Sequence, residues 1–208
     1  MARLFDVTAS LAALVVLAPL FAIVAIAIKL SSTGPVLYRA SRIGRGGVPF
    51  TMYKFRTMHH GTAGPSITRR DDPPVLTIGR ALRRYKVDEL PQLFNIIRGD
   101  MNLVGPRPED EEYVRMYTEE ERGVLTARPG LTSPASLVYR DEEALLTGDG
   151  WHDRYVNEIM RTKLRVELDY LRRRSFACDL GVLARTAGRL LFGAVFRRSG
   201  SPADGETP

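Results

Sequence analysis

The chain has 208 residues, with 30 lysines and arginines against 24 aspartates and glutamates, for a formal net charge of +6. That length leaves room for one domain with a real core and appended segments and argues against a second full domain. The positive balance points to an anionic partner, leaving nucleic acid, a phospholipid surface and a phosphorylated small molecule open, while the single cysteine, Cys178, excludes a disulfide framework and a cysteine-rich zinc site.

Leu11 to Ile28 is an unbroken apolar run, LAALVVLAPLFAIVAIAI, preceded by Arg3 and Asp6 and followed by Lys29. As a straight helix it reaches roughly 27 Å, close to the hydrocarbon thickness of a bilayer. Pro19 removes one backbone donor and displaces the carbonyl of Val15, so a kink is expected at the centre. Three geometries compete: a kinked span, a re-entrant hairpin turning at Ala18-Pro19, and a cleaved leader ending near Ala25-Ile26-Ala27. Basic residues flank both ends, Arg3 before and Lys29, Arg39, Arg42 and Arg45 after, which favours both ends on one side.

Val36 to Ile43 and Val48 to Met58 alternate β-branched or aromatic residues with polar ones around Gly44-Arg45-Gly46-Gly47, the pattern of a β-hairpin. The glycine turn serves as a turn or as a phosphate cradle. Alternation in YKFRTM puts Lys54 and Arg56 on one strand face. Residues 61 to 74 read as a mobile polar loop. His59 and His60 before it lack neighbours at metal-ligand spacing.

A short helix over Ile78 to Tyr85 leads to the central stretch, where Asp88 and Glu89 stand among Arg80, Arg83, Arg84 and Lys86. Leu90, Leu93, Phe94 and Ile97 recur at helical spacing, Pro91 fits the first turn, and Arg98-Gly99 is a stop signal. Asp88 and Glu89 are thereby expected at a helix N-terminus, where the dipole keeps carboxylates ionised and attracts phosphate oxygens. Asp88 as a plain helix cap is the competing reading. Gly105-Pro106-Arg107-Pro108 fixes the backbone on both sides of Arg107, which suits a phosphate clamp. Paired carboxylates among cations suit a phosphorylated, metal-bound substrate.

Glu109 to Arg122 reads as one acidic, solvated helix, and Arg128 to Pro134 as a second rigid turn. Tyr155 to Arg174 and Asp179 to Arg198 are basic amphipathic helices that suit either an anionic membrane surface or a core with a basic outer side. The last ten residues, SGSPADGETP, read as a disordered tail.

From about Arg3 to Arg198 the chain resembles the bacterial sugar transferases known as monotopic phosphoglycosyl transferases, in their minimal single-domain form. The resemblance rests on the apolar segment with a central proline followed by KLSSTGPVLYRASRIGRGGVPFTMYKFRTM, on DELPQLFNIIRGDMNLVGPRPE, and on ARPGLTS. It implies an α+β, mainly helical fold: a re-entrant membrane helix over residues 1–30, broken at Ala18 and Pro19, then a cytoplasm-facing catalytic domain over residues 31–198 with one β-hairpin and amphipathic interfacial helices, then the tail 199–208. The implied reaction, at the bacterial cytoplasmic membrane, moves a phosphosugar from a UDP-sugar to undecaprenyl phosphate and releases UMP. It would initiate lipid-linked glycan or exopolysaccharide synthesis. By the same resemblance Asp88 is the nucleophile, Glu89 its partner, and the two are the candidate ligands of Mg2+ or a similar divalent cation. Lys54, Arg83 and Arg107 match residues expected at the diphosphate. Implied partners are the two substrates and membrane lipids, with no nucleic acid; a second copy of the chain is also open. Ala18 stands where many relatives have serine, PASLVYRDEEALL departs from the usual continuation, and Glu167 stands where many relatives have aspartate, so the sugar is not carried over.

Overall fold

A single helix, α1 (Ala2–Ser31), runs the length of the apolar segment with Pro19 inside it. The computed structural model describes residues 2–59, 75–139, 146 and 150–196; the loop expected over 61–74, His60 and the tail 199–208 lie outside them. The chain does not leave the helix at Ala18-Pro19, as a hairpin turn would require. Proline costs the ladder one donor, and the bonds on either side carry the helix through.

α1 buries one side only. Val24 and Ile28 pack on Phe55 and Leu82, and Ala13, Leu14 and Leu17 on the cluster of Ala40, Met52, Leu93, Ile96 and Met101. Each fully buried aliphatic side chain of this kind contributes about 1.5–3 kcal/mol. Its outer side leaves Leu11, Val15, Val16, Ile23, Ile26 and Leu30 exposed. A soluble core helix would hide these residues; this one, the only described helix long and apolar enough to cross a bilayer, presents them outward.

The expected hairpin is present. β1 (Leu37–Ile43) pairs antiparallel with β2 (Pro49–Phe55), Leu37 opposite Phe55 and Ile43 opposite Pro49. Gly46 and Gly47 take φ of 71° and 76° to make the turn.

α2 (Thr77–Arg84) follows, then a 3-10 turn over Val87–Glu89, then α3 (Gln92–Arg98), closed by Gly99 at φ 100°. The helix expected to start at Asp88 starts four residues later. Pro91 has no N–H to continue an upstream ladder, so Leu90 N–H bonds back to the Val87 carbonyl (3.2 Å) and a tighter turn precedes the helix.

A second, parallel pair was not anticipated: β3 (Asn102–Val104) beside β4 (Gly130–Thr132). Three-residue strands are too short to show an alternation. The turn expected over Arg128 to Pro134 is therefore partly strand, and it continues into α5 (Pro134–Val138), capped by Ser133.

Glu109 to Arg122 is not one helix. α4 (Glu111–Val114), capped by Asp110, stops early, and a 3-10 turn over Glu121–Thr126 follows. Thr118 and Glu121 bond reciprocally, each side chain to the other's N–H (2.8 and 3.3 Å), a capping box that opens a new turn. Nor is the segment merely solvated, because Tyr113, Val114 and Tyr117 enter the main core with Tyr155, Ile159, Met160 and Leu164.

The last four of these come from the C-terminal helices, where α6 (Trp151–Arg154) passes through one π turn, Tyr155–Ile159, into α7 (Met160–Arg172), followed by α8 (Phe176–Phe196). α7 faces the core, burying Met160, Lys163, Leu164, Glu167 and Tyr170. α8 buries Val182 and exposes Phe176, Leu180 and Leu190. The Phe176 ring meets the Phe5 ring edge-on at 5.4 Å, joining α8 to the start of α1.

Candidate active site

The 3-10 turn between α2 and α3 places Asp88 and Glu89 side by side, each 7% exposed. Two carboxylates that close and that dry repel unless cations are built around them. Two of the sequence candidates serve this end. The Nζ of Lys54 donates to Glu89 Oε1 at 3.1 Å, and Nη2 of Arg107 donates to the same oxygen at 2.7 Å.

Each cation arrives on a braced segment. Lys54 rides on β2, and β2 is held by Asn95 of α3, whose Oδ1 accepts from the Tyr53 N–H (3.1 Å) while its Nδ2 donates to the Thr51 carbonyl (2.7 Å) and to Asp100 (3.1 Å). The carboxamide thus acts as a one-residue strand on the edge of β2. Arg107 projects from the GPRP turn, which is bonded to the ARPGLTS segment through Gly105 N–H to Thr132 carbonyl (3.1 Å) and Gly130 N–H to Pro106 carbonyl (2.9 Å). A Cβ on Gly130 would stand 2.1 Å from the Gly105 nitrogen, so these two turns meet only because both positions are glycine.

The remaining candidates are more distant. Nε of Arg83 donates to Thr57 Oγ1 at 2.9 Å, and its charge reaches Asp88 more weakly than those of Lys54 and Lys86. Arg56 does not join Lys54 in the site. It lies beyond β2, buried, donating to the carbonyls of Thr33 and of Ser32 (2.9 Å), and so secures the loop after α1. Ala18 and Pro19 are exposed on the outer side of α1.

The electrostatics of the pair are unequal. Burial, then the neighbouring Glu89 charge, push the Asp88 carboxyl up to about 6 against the pull of Lys54, Lys86 and Arg83. Burial also works to raise Glu89, but Arg107, Lys54 and Lys86 together hold it well below the usual carboxylate range. Burial lowers Lys54, partly offset by Glu89. The helix dipole expected to keep both acids ionised does not act on Asp88, which precedes the helix. Glu89 is therefore held ionised, while Asp88 keeps its proton to higher pH. The Oδ1 of Asp88 is buried and accepts no hydrogen bond from the described residues. Unlike environments for two adjacent acids are how two different chemical roles are assigned.

No group of three or more His, Cys, Asp or Glu among the described residues could hold a metal. Magnesium is usually held by one or two carboxylates with substrate phosphates completing the shell, and the unpartnered Asp88 Oδ1 beside Glu89 fits that mode.

Sequence reasoning missed Asn95 and Gln92, two fully buried amides on α3, because only the apolar residues at helical spacing were followed, and of these Phe94 is 42% exposed. A polar pair at i, i+3 inside an apolar run was the available signal. Glu167 was noted only as a departure. It is buried beneath the Arg107 turn, and its carboxyl is pushed up to about 7, chiefly by burial, against Ser133, Lys163 and the backbone of Arg107 and Ala135.

A dry, asymmetric acid pair among braced cations is the kind of site an enzyme uses on an anionic substrate. Residues 1–193 match the family model described as Bacterial sugar transferase, and the chain belongs to that family. It is 40% identical over 194 residues to a UDP-glucose:undecaprenyl-phosphate glucose-1-phosphate transferase of Caulobacter vibrioides, covering 91% of this chain and 69% of that protein. It is 38% identical to an undecaprenyl-phosphate glucose phosphotransferase of Komagataeibacter xylinus, covering 91% of this chain and 36% of that one. A third relative, a UDP-N-acetylgalactosamine-undecaprenyl-phosphate N-acetylgalactosaminephosphotransferase of Aeromonas hydrophila, is 32% identical, covering 87% of this chain and 41% of its own length. The chain thus spans well under half the length of the second and third relatives.

Proposed function

We propose that this enzyme transfers a sugar 1-phosphate from a UDP-sugar to undecaprenyl phosphate, releasing UMP, as the first step of a lipid-linked glycan or exopolysaccharide. The observation that carries this reading is the buried, unpartnered Oδ1 of Asp88 next to a Glu89 already neutralised by Lys54 and Arg107. In the first half-reaction a carboxylate oxygen of Asp88 attacks the sugar-bearing phosphorus and the bond to the bridging oxygen breaks, so UMP leaves with that oxygen and a phosphosugar remains on the carboxylate. In the second, an oxygen of the lipid phosphate attacks the same phosphorus, the diphosphate-linked sugar forms and the Asp88 carboxylate is regenerated. An anionic nucleophile meeting an anionic diphosphate needs charge compensation, to which Arg83 and Arg107 contribute. A divalent ion held by Asp88, Glu89 and substrate phosphates would add Lewis-acid polarisation of the phosphoryl oxygens.

Residues on both sides of Pro19 support a re-entrant course for α1. Arg3 donates to the carbonyls of Ile96 (2.6 Å), Ile97 (3.2 Å) and Met101 (3.2 Å), while the Phe21 ring lies 6.2 Å from that of Phe94. A straight rise from Arg3 to Phe21 is about 27 Å, whereas seven-residue α3 is about 10 Å long. A bend at Pro19 would let both halves close on one short helix. Residues 1–30 then dip into one leaflet, and residues 31–198 stay on the cytoplasmic side. The relatives named for glucose and for N-acetylgalactosamine leave the sugar to be found by screening.

The test is purified enzyme with magnesium, undecaprenyl phosphate and a panel of UDP-sugars. UMP is the expected nucleotide product, and Asp88→Asn is expected to abolish it. Release of UDP would reject the reaction class.

A further inference from the structure

We propose that Lys86 binds phosphate oxygens of a substrate at the mouth of the carboxylate pair, an inference that rests on the phosphosugar-transfer reading above. Lys86 has φ 57°, and it is the only residue other than glycine with a positive φ among those described. It directly follows the C-cap of α2, a position that commonly turns left-handed and is most often glycine, because a Cβ there crowds the backbone. The end of α3 follows the usual solution with Gly99 at φ 100°. At the end of α2 the same conformation is kept with a lysine. Strain held at one residue of a site calls for a compensating use of its side chain.

No internal contact supplies that use. The Lys86 side chain makes no hydrogen bond or ion pair among the described residues, though its charge reaches both Asp88 and Glu89. Neighbouring cations have partners: Lys54 and Arg107 bond to Glu89, Arg83 to Thr57, and Arg84 lies 5.8 Å from the centre of the Tyr85 ring. The pair's two negative charges are balanced by Lys54 and Arg107, which leaves Lys86 with Arg83 to meet the incoming anion. The left-handed bend also sets the carbonyl of Lys86 to accept from the Glu89 N–H (3.3 Å), opening the turn that carries Asp88. One residue thereby shapes the turn and offers a cation two positions before the nucleophile.

The ligand is a phosphate group of either the nucleotide-sugar diphosphate or the lipid, and steady-state kinetics in each substrate separate them. Lys86→Gly removes the charge and relieves the backbone, while Lys86→Arg keeps the charge. We expect Lys86→Gly to raise KM for one substrate about tenfold, the loss of one charge-assisted contact, with a melting temperature equal to or above that of the parent, and Lys86→Arg to restore most of the affinity. A rise confined to the UDP-sugar assigns the diphosphate; one confined to the lipid assigns its phosphate. Calorimetric binding of pyrophosphate to the parent and to Lys86→Gly reads anion affinity without turnover, so it tests the proposal even if the reaction class is wrong. Unchanged KM for both substrates, or a fall in kcat alone with unchanged pyrophosphate affinity, would overturn the assignment.

Discussion

Replacing Asp88 by asparagine should remove activity and make the protein more stable, two effects that come from one cause. Its carboxyl is raised from 3.8 to about 6, so ionising it costs more in the folded chain than in the unfolded one. For an acid with a raised folded value, the folded state is favoured while the group is protonated, and that advantage is lost as pH rises from about 4 to about 6. Above pH 6 the charged Asp88 costs about 3 kcal/mol, at about 1.4 kcal/mol per pH unit of the rise from 3.8 to about 6. Asparagine keeps the shape and removes both the buried charge and its repulsion with Glu89. For a domain of this size 1 kcal/mol moves Tm by about 2–4 °C, so Asp88→Asn should melt several degrees above the parent at pH 8. The gap should shrink by about half at pH 5, where much of the parent's Asp88 is already protonated. Thermal melts in one detergent at the two pH values measure this. An asparagine variant equal to or below the parent at pH 8 would refute the picture of a strained, charged Asp88.

Glu89→Gln should behave oppositely, because it leaves Lys54 and Arg107 facing each other without a carboxylate; a loss of about 3–5 kcal/mol in chemical denaturation is expected. In Asn95→Ala the Thr51 carbonyl and Tyr53 N–H lose their partner, at about 1–3 kcal/mol each. If Asn95 acts by placing Lys54, its effect on kcat/KM should be sub-additive with Lys54→Met, whereas full additivity would leave Asn95 a purely structural residue. Gly130→Ala should detach the Arg107 turn, since the added Cβ falls 2.1 Å from Gly105, and should show as lost turnover with little residual folding cooperativity. Free-enzyme kcat/KM should fall about tenfold per unit as pH drops below about 6, the range in which Asp88 protonates, and a profile flat to pH 5 would contradict this role.

Features written as local pattern were legible in the sequence. The apolar run gave α1, the alternation around Gly44 to Gly47 gave the hairpin, and the Gly99 stop placed the end of α3. The motif residues Lys54, Arg107, Asp88 and Glu89 were each singled out, and they do converge. What stayed hidden depends on partners remote in the chain. Arg56 looked like a twin of Lys54 by strand parity, but the strand ends at Phe55 and the carbonyls of Ser32 and Thr33 take it. Asn95 looked like a gap in an apolar stripe until β2 lay beside it. The parallel pairing of β3 with β4 joins residues nearly thirty apart through three-residue strands, and no periodicity of that length can be read. The upward push on Asp88 was not legible because it comes from burial and from Glu89, while the dipole argument needs a helix that begins there.

The central claim is a phosphosugar held on Asp88, and intact-protein mass spectrometry after mixing enzyme with the preferred UDP-sugar, magnesium and no lipid acceptor tests it most directly. We expect about one UMP released per enzyme molecule, a mass increase of one sugar phosphate mapping to Asp88, and loss of that adduct on adding undecaprenyl phosphate. UMP appearing only when the lipid is present, with the protein mass unchanged throughout, would contradict it.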